Sequence, residues 1–131
     1  MPVRKFDNAD FLFIIYNREK ISDIERFRNE LALEASQENS GRDTIVDLSR
    51  AEMISSVEIS IIVKFLRSLP GTGRFLRLVV SKYTREILQN INLHRIPNLI
   101  LYDDLESLQN NMCSQLAAEI ASVTKPAHRC G

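Results

Sequence analysis

Two serines and a glutamate form the segment of this chain whose residue types and spacing are best suited to chemistry. Ser55 and Glu58 are three residues apart and precede an apolar run. This is the pattern of a capping box, in which the serine hydroxyl and the glutamate carboxylate each accept a hydrogen bond from a backbone N–H at a helix start. Ser56 then falls in the first helical turn, where a side chain can point to solvent. Its hydroxyl is therefore either a simple helix-start residue or a site for binding or modification.

The other residues that could do chemistry do not form a catalytic or metal-binding set. Asp103 and Asp104 are adjacent, but no nucleophile, histidine or metal set accompanies them, and we expect one of them to cap a helix. The segment Gly71-Thr72-Gly73 lacks the lysine of a phosphate-binding loop. The histidines and cysteines have no metal-site or disulfide spacing; they are His94, His128, Cys113 and Cys130. We therefore expect no enzyme activity, no metal and no cofactor.

Strand and helix patterns alternate along the chain and would position these residues. Short apolar runs predict strands over residues 11–16, 44–48, 75–80 and 99–102. Apolar positions three and four residues apart predict helices over about 22–37, 55–69, 81–90 and 105–123. A further capping box, Ser22 with Glu25, is predicted to start the first helix, and Tyr83 is predicted to face inward from the third.

This alternation predicts the fold class. A parallel pair of strands needs a crossover connection, and helices supply it. The order therefore indicates an α/β domain with a small, mainly parallel central sheet of about four strands and about four helices.

Length, composition and charge are those of one globular domain. The chain has 131 residues, of which 44% are apolar and 26% charged. Its 17 basic and 17 acidic residues cancel, which disfavours a dedicated nucleic-acid binder. No apolar run is long enough to cross a bilayer and no signal-peptide pattern is present, so we expect a cytoplasmic protein without membrane insertion. The domain is predicted over 10–123, between a flexible N-terminus at 1–9 and a tail at 124–131.

Four stretches between residues 44 and 104 carry a more specific pattern. They are Thr-Ile-Val-Asp-Leu-Ser at 44–49, Met-Ile-Ser-Ser-Val-Glu-Ile-Ser at 53–60, Phe-Leu-Arg-Leu-Val-Val-Ser at 75–81 and Leu-Ile-Leu-Tyr-Asp-Asp at 99–104. Together they resemble the STAS family, the domain of bacterial anti-sigma factor antagonists. In that family Ile-Asp-Ser-Ser-Gly-Leu opens the second helix. Here Ser55 stands in place of the Asp, Val57 in place of a small residue, and Glu58 in place of the Gly.

The resemblance implies a regulatory protein-binding module of a partner-switching pathway. In such pathways the unphosphorylated domain binds an anti-sigma factor that is also a serine kinase, phosphorylation ends the binding, and a PP2C-type phosphatase restores it. Ser56 occupies the position of the usual phosphoacceptor. The output is transcription or another process such as biofilm production. The partner-binding residues that the resemblance implies are Ser55, Ser56, Val57, Glu58, Ser60 and, from the loop after the first strand, Lys20.

Other interpretations stay open at this point. STAS domains also serve as constitutive accessory subunits of membrane transport complexes, without a phosphoserine cycle. Both serines would then only start a helix. Glu58 would either repel a phosphate on Ser56 or supply permanent negative charge. The exposed edge of the second helix, with Lys64 and Arg67, could extend a partner surface.

Overall fold

The computed structural model of the protein describes residues 3–7, 11–36, 42–51 and 54–110. Within those ranges one five-stranded sheet has its strands in sequential order: β1 Val3–Asp7, β2 Phe11–Tyr16, β3 Asp43–Asp47, β4 Leu76–Val79 and β5 Leu99–Tyr102. The α-helices are α1 Ser22–Ala35, α2 Ser56–Leu66, α3 Lys82–Asn90 and α4 Leu105–Asn110. A short 3₁₀ turn, Leu93–Arg95, follows α3.

Strands β2 to β5 form the four-stranded parallel part of the sheet, as the sequence pattern predicts. Phe13 lies opposite Ile45, and Val46 lies opposite Leu78. Leu78 in turn lies opposite Leu101. A helix separates each of these strands from the next in sequence. The predicted α/β class with a parallel central sheet is therefore confirmed.

Each face of the sheet has its own apolar core, because successive residues of a strand point to opposite faces. Three residues of β2 pack with α1 and α2 in the larger core, which includes Leu12, Ile14, Tyr16, Phe27 and Ile62. The alternate residues of β2 belong to a second core that includes Phe11, Phe13, Ile15 and Leu108 of α4. Burial on both faces explains why β2 is a continuous apolar run and does not alternate with polar residues.

β1 is the largest departure from the sequence prediction, which has a flexible N-terminus over residues 1–9. It pairs antiparallel with β2, with Lys5 opposite Ile14. Lys5 also forms an ion pair with Glu30 of α1 at 3.2 Å. An edge strand is held mainly by backbone hydrogen bonds to one neighbour and tolerates charged side chains. Its sequence therefore has no apolar periodicity by which it could be recognised.

The start of α1 also differs from the prediction. The helix begins at Ser22, but the predicted capping box with Glu25 does not form, because no side chain caps this end. Instead the buried Asp23 turns back, and its Oδ2 accepts hydrogen bonds from the backbone N–H groups of Glu19 and Lys20 at 2.8 and 2.9 Å. Burial opposes ionisation of Asp23, yet the two N–H donors outweigh it and hold the carboxyl pKa below its ordinary value.

Tyr83 of α3 points to solvent and not into the core, contrary to the prediction. Ser81 caps this helix by accepting a hydrogen bond from the Thr84 N–H. Tyr83, predicted to face inward, is 50% exposed, whereas Thr84 and Leu88 are buried. A shift of one position around the helix explains the error: a small Thr lies where the pattern suggested an aromatic residue.

A buried ionic cluster of Glu34, Arg42 and Arg74 joins the end of α1 to the chain segments that enter β3 and β4. Glu34 and Arg74 are each only 2% exposed. Arg42 makes a bidentate contact to the Glu34 carboxylate at 2.8 and 2.9 Å, and Arg74 reaches the same carboxylate at 3.0 Å. The Nε of Arg74 donates to the Arg42 carbonyl at 3.0 Å. The cluster therefore ties the end of α1 to the amino ends of two strands through several hydrogen bonds.

We expect Glu34→Gln to lower the free energy of unfolding by about 3 kcal/mol, because it removes the buried negative charge that Arg42 and Arg74 both contact. The measurement is urea unfolding followed by circular dichroism. Glu25→Gln is the matched control: it removes an acid on the same helix that forms an exposed ion pair with Arg28, and we expect it to cost less than about 0.5 kcal/mol. Equal effects of the two changes would contradict the structural role given to the cluster.

Candidate functional site

The start of α2 has the capping box that the sequence predicts. The Ser55 Oγ accepts a hydrogen bond from the Glu58 N–H at 3.2 Å, and the Glu58 Oε1 accepts one from the Ser55 N–H at 2.8 Å. Ser55 itself is extended, with φ −88° and ψ 164°, as a residue just outside a helix should be. The two reciprocal bonds determine where the helix begins and place Ser56 as its first residue.

Glu58 does more than close the capping box, because its side chain is buried against β2. It is 1% exposed, and the Tyr16 hydroxyl donates to its Oε2. The Arg18 guanidinium donates to its Oε1 at 3.1 Å. The Tyr16 ring in turn stacks on Phe27 of α1, with 4.3 Å between ring centroids and 19° between planes. Glu58, Tyr16 and Arg18, here called the Glu58 cluster, therefore link α2, β2 and the loop after β2.

The electrostatics of the Glu58 cluster keep its hydrogen bonds in one arrangement. Burial raises the pKa of the Tyr16 hydroxyl well above its ordinary value, and the hydrogen bond to the Glu58 carboxylate raises it further. The hydroxyl is therefore always a donor at neutral pH. Arg18 supplies a positive charge next to the carboxylate, while its own side chain stays 32% exposed. The Glu58 charge is thus both hydrogen-bonded and neutralised inside the domain.

The outer side of the same turn is a small, exposed patch. Ser56 is exposed, and its hydroxyl makes no hydrogen bond to a residue that the structure describes. Val57 beside it is 43% exposed. Ser60 is exposed one turn later, and its Oγ donates to the Ser56 carbonyl at 3.0 Å. Ser56, Val57 and Ser60, here called the α2 patch, offer hydroxyls around an apolar centre.

Solved structures of other proteins share this arrangement of strands and helices. An anti-sigma-factor antagonist (STAS) domain protein from Planctomyces limnophilus matches with a TM-score of 0.66 at 18% identity, over 82% of this chain and 96% of that one. The phosphorylated form of the Bacillus cell fate determinant SpoIIAA matches with a TM-score of 0.59 at 16% identity, over 84% of this chain and 99% of that one. The chain has the STAS fold.

A third similar structure comes from a much larger protein. The murine anion transporter Slc26a9 matches 91% of this chain with a TM-score of 0.56 at 12% identity, over only 19% of the transporter. No protein-family model and no curated protein matches the sequence. At identities this low, structural similarity establishes the STAS fold alone. Activity and partners have to be argued from the site.

The structure brings most of the predicted site residues of this STAS-like fold together. Ser55, Ser56, Val57 and Ser60 all lie on the first turns of α2. Glu58 lies in the same turn but is buried, so it cannot touch a partner directly and acts by holding the other four in place. Their role in binding stays a prediction.

The loop after β2 contributes Arg18 to the Glu58 cluster, and the role of Lys20 in partner binding stays a prediction. Arg18 contacts Glu58, whereas the exposed Lys20 makes no side-chain contact of this kind within the described part of the chain. Sequence reasoning missed Tyr16 and Arg18. The available signal was a tyrosine that ends an apolar strand, followed two residues later by an arginine: both could satisfy an acid at a helix start.

The adjacent aspartates have separate structural roles. Asp104 Oδ1 accepts a hydrogen bond from the Ser107 N–H at 2.7 Å, which caps α4, and the bonds from Ser107 hold the Asp104 pKa below its ordinary value. Asp103 pairs with Arg85 at 2.6 Å. This explains both carboxylates without catalysis.

Two features are absent from the described residues. Among them, no three His, Cys, Asp or Glu side chains are grouped so that they could hold a metal ion. Nor does any helix of these ranges have the length and apolar character needed to span a membrane. The side chain of His94 and the residues Cys113, His128 and Cys130 lie outside the described part of the structure.

We expect Glu58→Ala to lower the free energy of unfolding by about 3 kcal/mol, because Tyr16, Arg18 and the Ser55 N–H all lose their acceptor in a buried site. Ser56→Ala, in the same turn but on the exposed side, should cost less than about 0.5 kcal/mol. Urea unfolding of the two variants compares them directly. Similar losses from both would show that Glu58 does not have the anchoring role assigned to it.

A separate prediction concerns alkaline pH. The Tyr16 pKa is higher in the folded protein than its ordinary value of 10.0. The folded state therefore keeps a proton that the unfolded chain loses. The stability from this source is fully present below pH 10 and declines as the pH rises further, by at most about 1.4 kcal/mol per pH unit.

Tyr16→Phe should consequently make the decline of unfolding free energy above pH 10 less steep. Tyr83→Phe, which changes an exposed ring outside the Glu58 cluster, is the control and should leave the decline as in wild type. The measurement is urea unfolding at closely spaced pH values between neutral and strongly alkaline conditions. The same slope in Tyr16→Phe and wild type would refute the link between the Tyr16 proton and stability.

Proposed function

We propose that this STAS domain is a regulatory protein-binding module of the anti-sigma factor antagonist kind, and that phosphorylation of Ser56 ends its binding to the partner. One observation carries the proposal: Ser56 is exposed, and its hydroxyl makes no hydrogen bond to a described residue, on a helix start that buried bonds hold in place. A kinase can reach such a hydroxyl, and its modification removes no interaction that the fold needs.

The charges around Ser56 favour a phosphate that leaves the domain folded. A phosphoserine carries about −1.5 to −2 charge at neutral pH. The first N–H groups of a helix and its dipole favour that charge. Glu58 is the nearest acid in the turn, but it is buried and paired with Arg18, so its repulsion of a phosphate is reduced.

The effect of the phosphate then falls on the interface. A partner that covers Val57 would have to desolvate a phosphate beside an apolar contact, which is costly unless the partner supplies cations. The switch thus acts through the α2 patch and not through unfolding. Ser55, Val57 and Ser60 shape the contact, Glu58 and Arg18 position it, and Lys20 lies at the outer edge of the loop after β2.

The partner we propose is an anti-sigma factor-like serine kinase, with a PP2C-type phosphatase that resets the switch. The kinase binds ATP, and this chain is neither an enzyme nor a cofactor-binding protein. The likeness to SpoIIAA, solved in a phosphorylated form, supports this assignment. The pathway would be cytoplasmic, and its output is transcription or another process such as biofilm production.

A second candidate function is suggested by the likeness to part of the anion transporter Slc26a9. In that case the domain would dock constitutively on membrane transport machinery, and the α2 patch would act without a phosphoserine cycle. The two functions differ in the partner recovered and in whether charge at Ser56 matters.

Affinity purification with wild-type, Ser56→Ala and Ser56→Asp baits tests the proposal. We expect Ser56→Ala to retain a kinase-like partner that Ser56→Asp loses, because the added carboxylate stands in for part of the phosphate charge. Mass spectrometry of the wild-type bait should show a phosphate on Ser56. Incubation with the recovered kinase and ATP should label wild type and not Ser56→Ala.

Ser22→Asp is the matched control, because Ser22 is an exposed serine that is also the first residue of a helix, on α1. It should recover the same partners as wild type. Recovery of one partner by all baits, with Ser56 never modified, would reject the switch. If that partner is an ATPase or permease, the accessory-subunit function is supported instead.

A further inference from the structure

A groove between α1 and α2 begins at the α2 patch and runs away from it. Its volume is about 480 Å³. Leu31, Ile61 and Phe65 form its apolar floor and are buried, whereas Val57 and Ser60 of the α2 patch form one end of its wall. The groove is therefore a continuation of the candidate binding surface along the two helices.

The two walls have the spacing of helical rows. On α1 the wall runs from Arg28 through Ala32 to Ala35, and on α2 from Val57 to Lys64. Each row spans seven residue steps, from position i to i+7, or about 10 Å at the rise of an α-helix. Anchors at positions i, i+3, i+4 and i+7 of a partner helix span the same distance. The short side chains of Ala32 and Ala35 leave room for such anchors above the floor.

The charges along the groove are of one sign. Among the described residues that line it, Arg28 and Lys64 are cationic and none is acidic. Lys64 makes no ion pair with a described residue. Arg28 pairs with Glu25, which does not line the groove, and both side chains of that pair are about half exposed, at 45% and 58%. Exposed pairs of this kind exchange partners at little cost.

We propose that this groove binds an amphipathic α-helix of a partner protein, in which acidic residues flank an apolar stripe about two turns long. Apolar anchors would cover Ile61 and Phe65, and the flanking carboxylates would meet Lys64 and Arg28. The proposal rests on the proposed function only in that the domain binds proteins. It does not require that Ser56 be phosphorylated.

A display library of helical peptides about 15 residues long, near the length at which helices form alone, tests this. The four anchor positions are varied among apolar residues, and the flanking positions among Asp, Glu, Lys and Arg. The bait is the full chain. We expect the selected peptides to carry Asp or Glu at the flanks.

Affinities of the selected peptides for four variants then locate the site. Ala32→Glu places bulk and negative charge in the groove and should weaken binding at least about tenfold. Lys64→Glu should weaken it about fivefold. Leu33→Glu and Lys82→Glu are the controls, since they introduce the same negative charge at exposed positions that do not line the groove. Both should change the affinity less than about twofold.

Three outcomes would overturn the inference: no enriched peptide, enrichment of basic flanks, or equal losses in Ala32→Glu and Leu33→Glu with both variants folded. Laurate serves as a probe for an acyl chain. If no peptide is selected, and laurate binds to wild type but not to Ala32→Glu, the groove binds a lipid tail and not a helix.

The test separates this inference from the proposed function. If no peptide is enriched, but the partner recovered still differs between Ser56→Ala and Ser56→Asp, only the inference about the groove is overturned. Groove binding by acidic helices in a protein whose Ser56 is never modified would overturn the switch alone.

Discussion

The Glu58 carboxylate is the interaction on which the candidate site depends. Glu58 is 1% exposed. A carboxylate buried to this extent is stable only when each of its oxygens is hydrogen-bonded and a cation neutralises its charge. Ser55, Tyr16 and Arg18 supply these bonds from three different parts of the chain. The start of α2 cannot shift without breaking one of them. This rigidity defines the position of Ser56, although its exposed hydroxyl makes no hydrogen bond to any residue in the described ranges.

Two of the buried carboxylates, Glu58 and Glu34, lie at opposite ends of the parallel strands. Glu58 contacts Tyr16 at the carboxyl end of β2, whereas the cluster of Glu34 and Arg74 lies at the amino ends of β3 and β4. In parallel α/β sheets, binding sites occur at the carboxyl edge of the strands. The position of each cluster is consistent with separate roles: the first supports the proposed binding surface, and the second holds the amino ends of two strands together. The groove between α1 and α2 extends from the carboxyl end.

Sequence reasoning succeeded where a local pattern determines the structure. β2 and β5 begin and end at the predicted residues, because short apolar runs leave few alternatives. The capping box at Ser55 was predictable from residues three apart. The similar pair at Ser22 failed because Asp23, one residue later, is buried and accepts bonds from the preceding loop. Two competing acids in one turn cannot be ranked without knowing which one the tertiary structure buries. β1 was missed since its polar sequence carries no periodic signal.

The site residues that were missed also explain the departures from the family pattern. The STAS pattern has Gly where this chain has Glu58, and a small side chain there needs no buried donors. A carboxylate at this position requires them, and the chain provides Tyr16 at the end of β2 and Arg18 in the following loop. Tyr16 and Arg18 thus form one hydrogen-bonded group with Glu58 and Ser55. Ser55 replaces the Asp of the pattern, and its Oγ accepts a hydrogen bond from the Glu58 N–H. A single change at position 58 toward the family pattern would leave Tyr16 and Arg18 without an acceptor. The unusual residues around Ser56 therefore reinforce the helix start in a different way, and they leave the hydroxyl at position 56 as exposed as a phosphoacceptor needs to be.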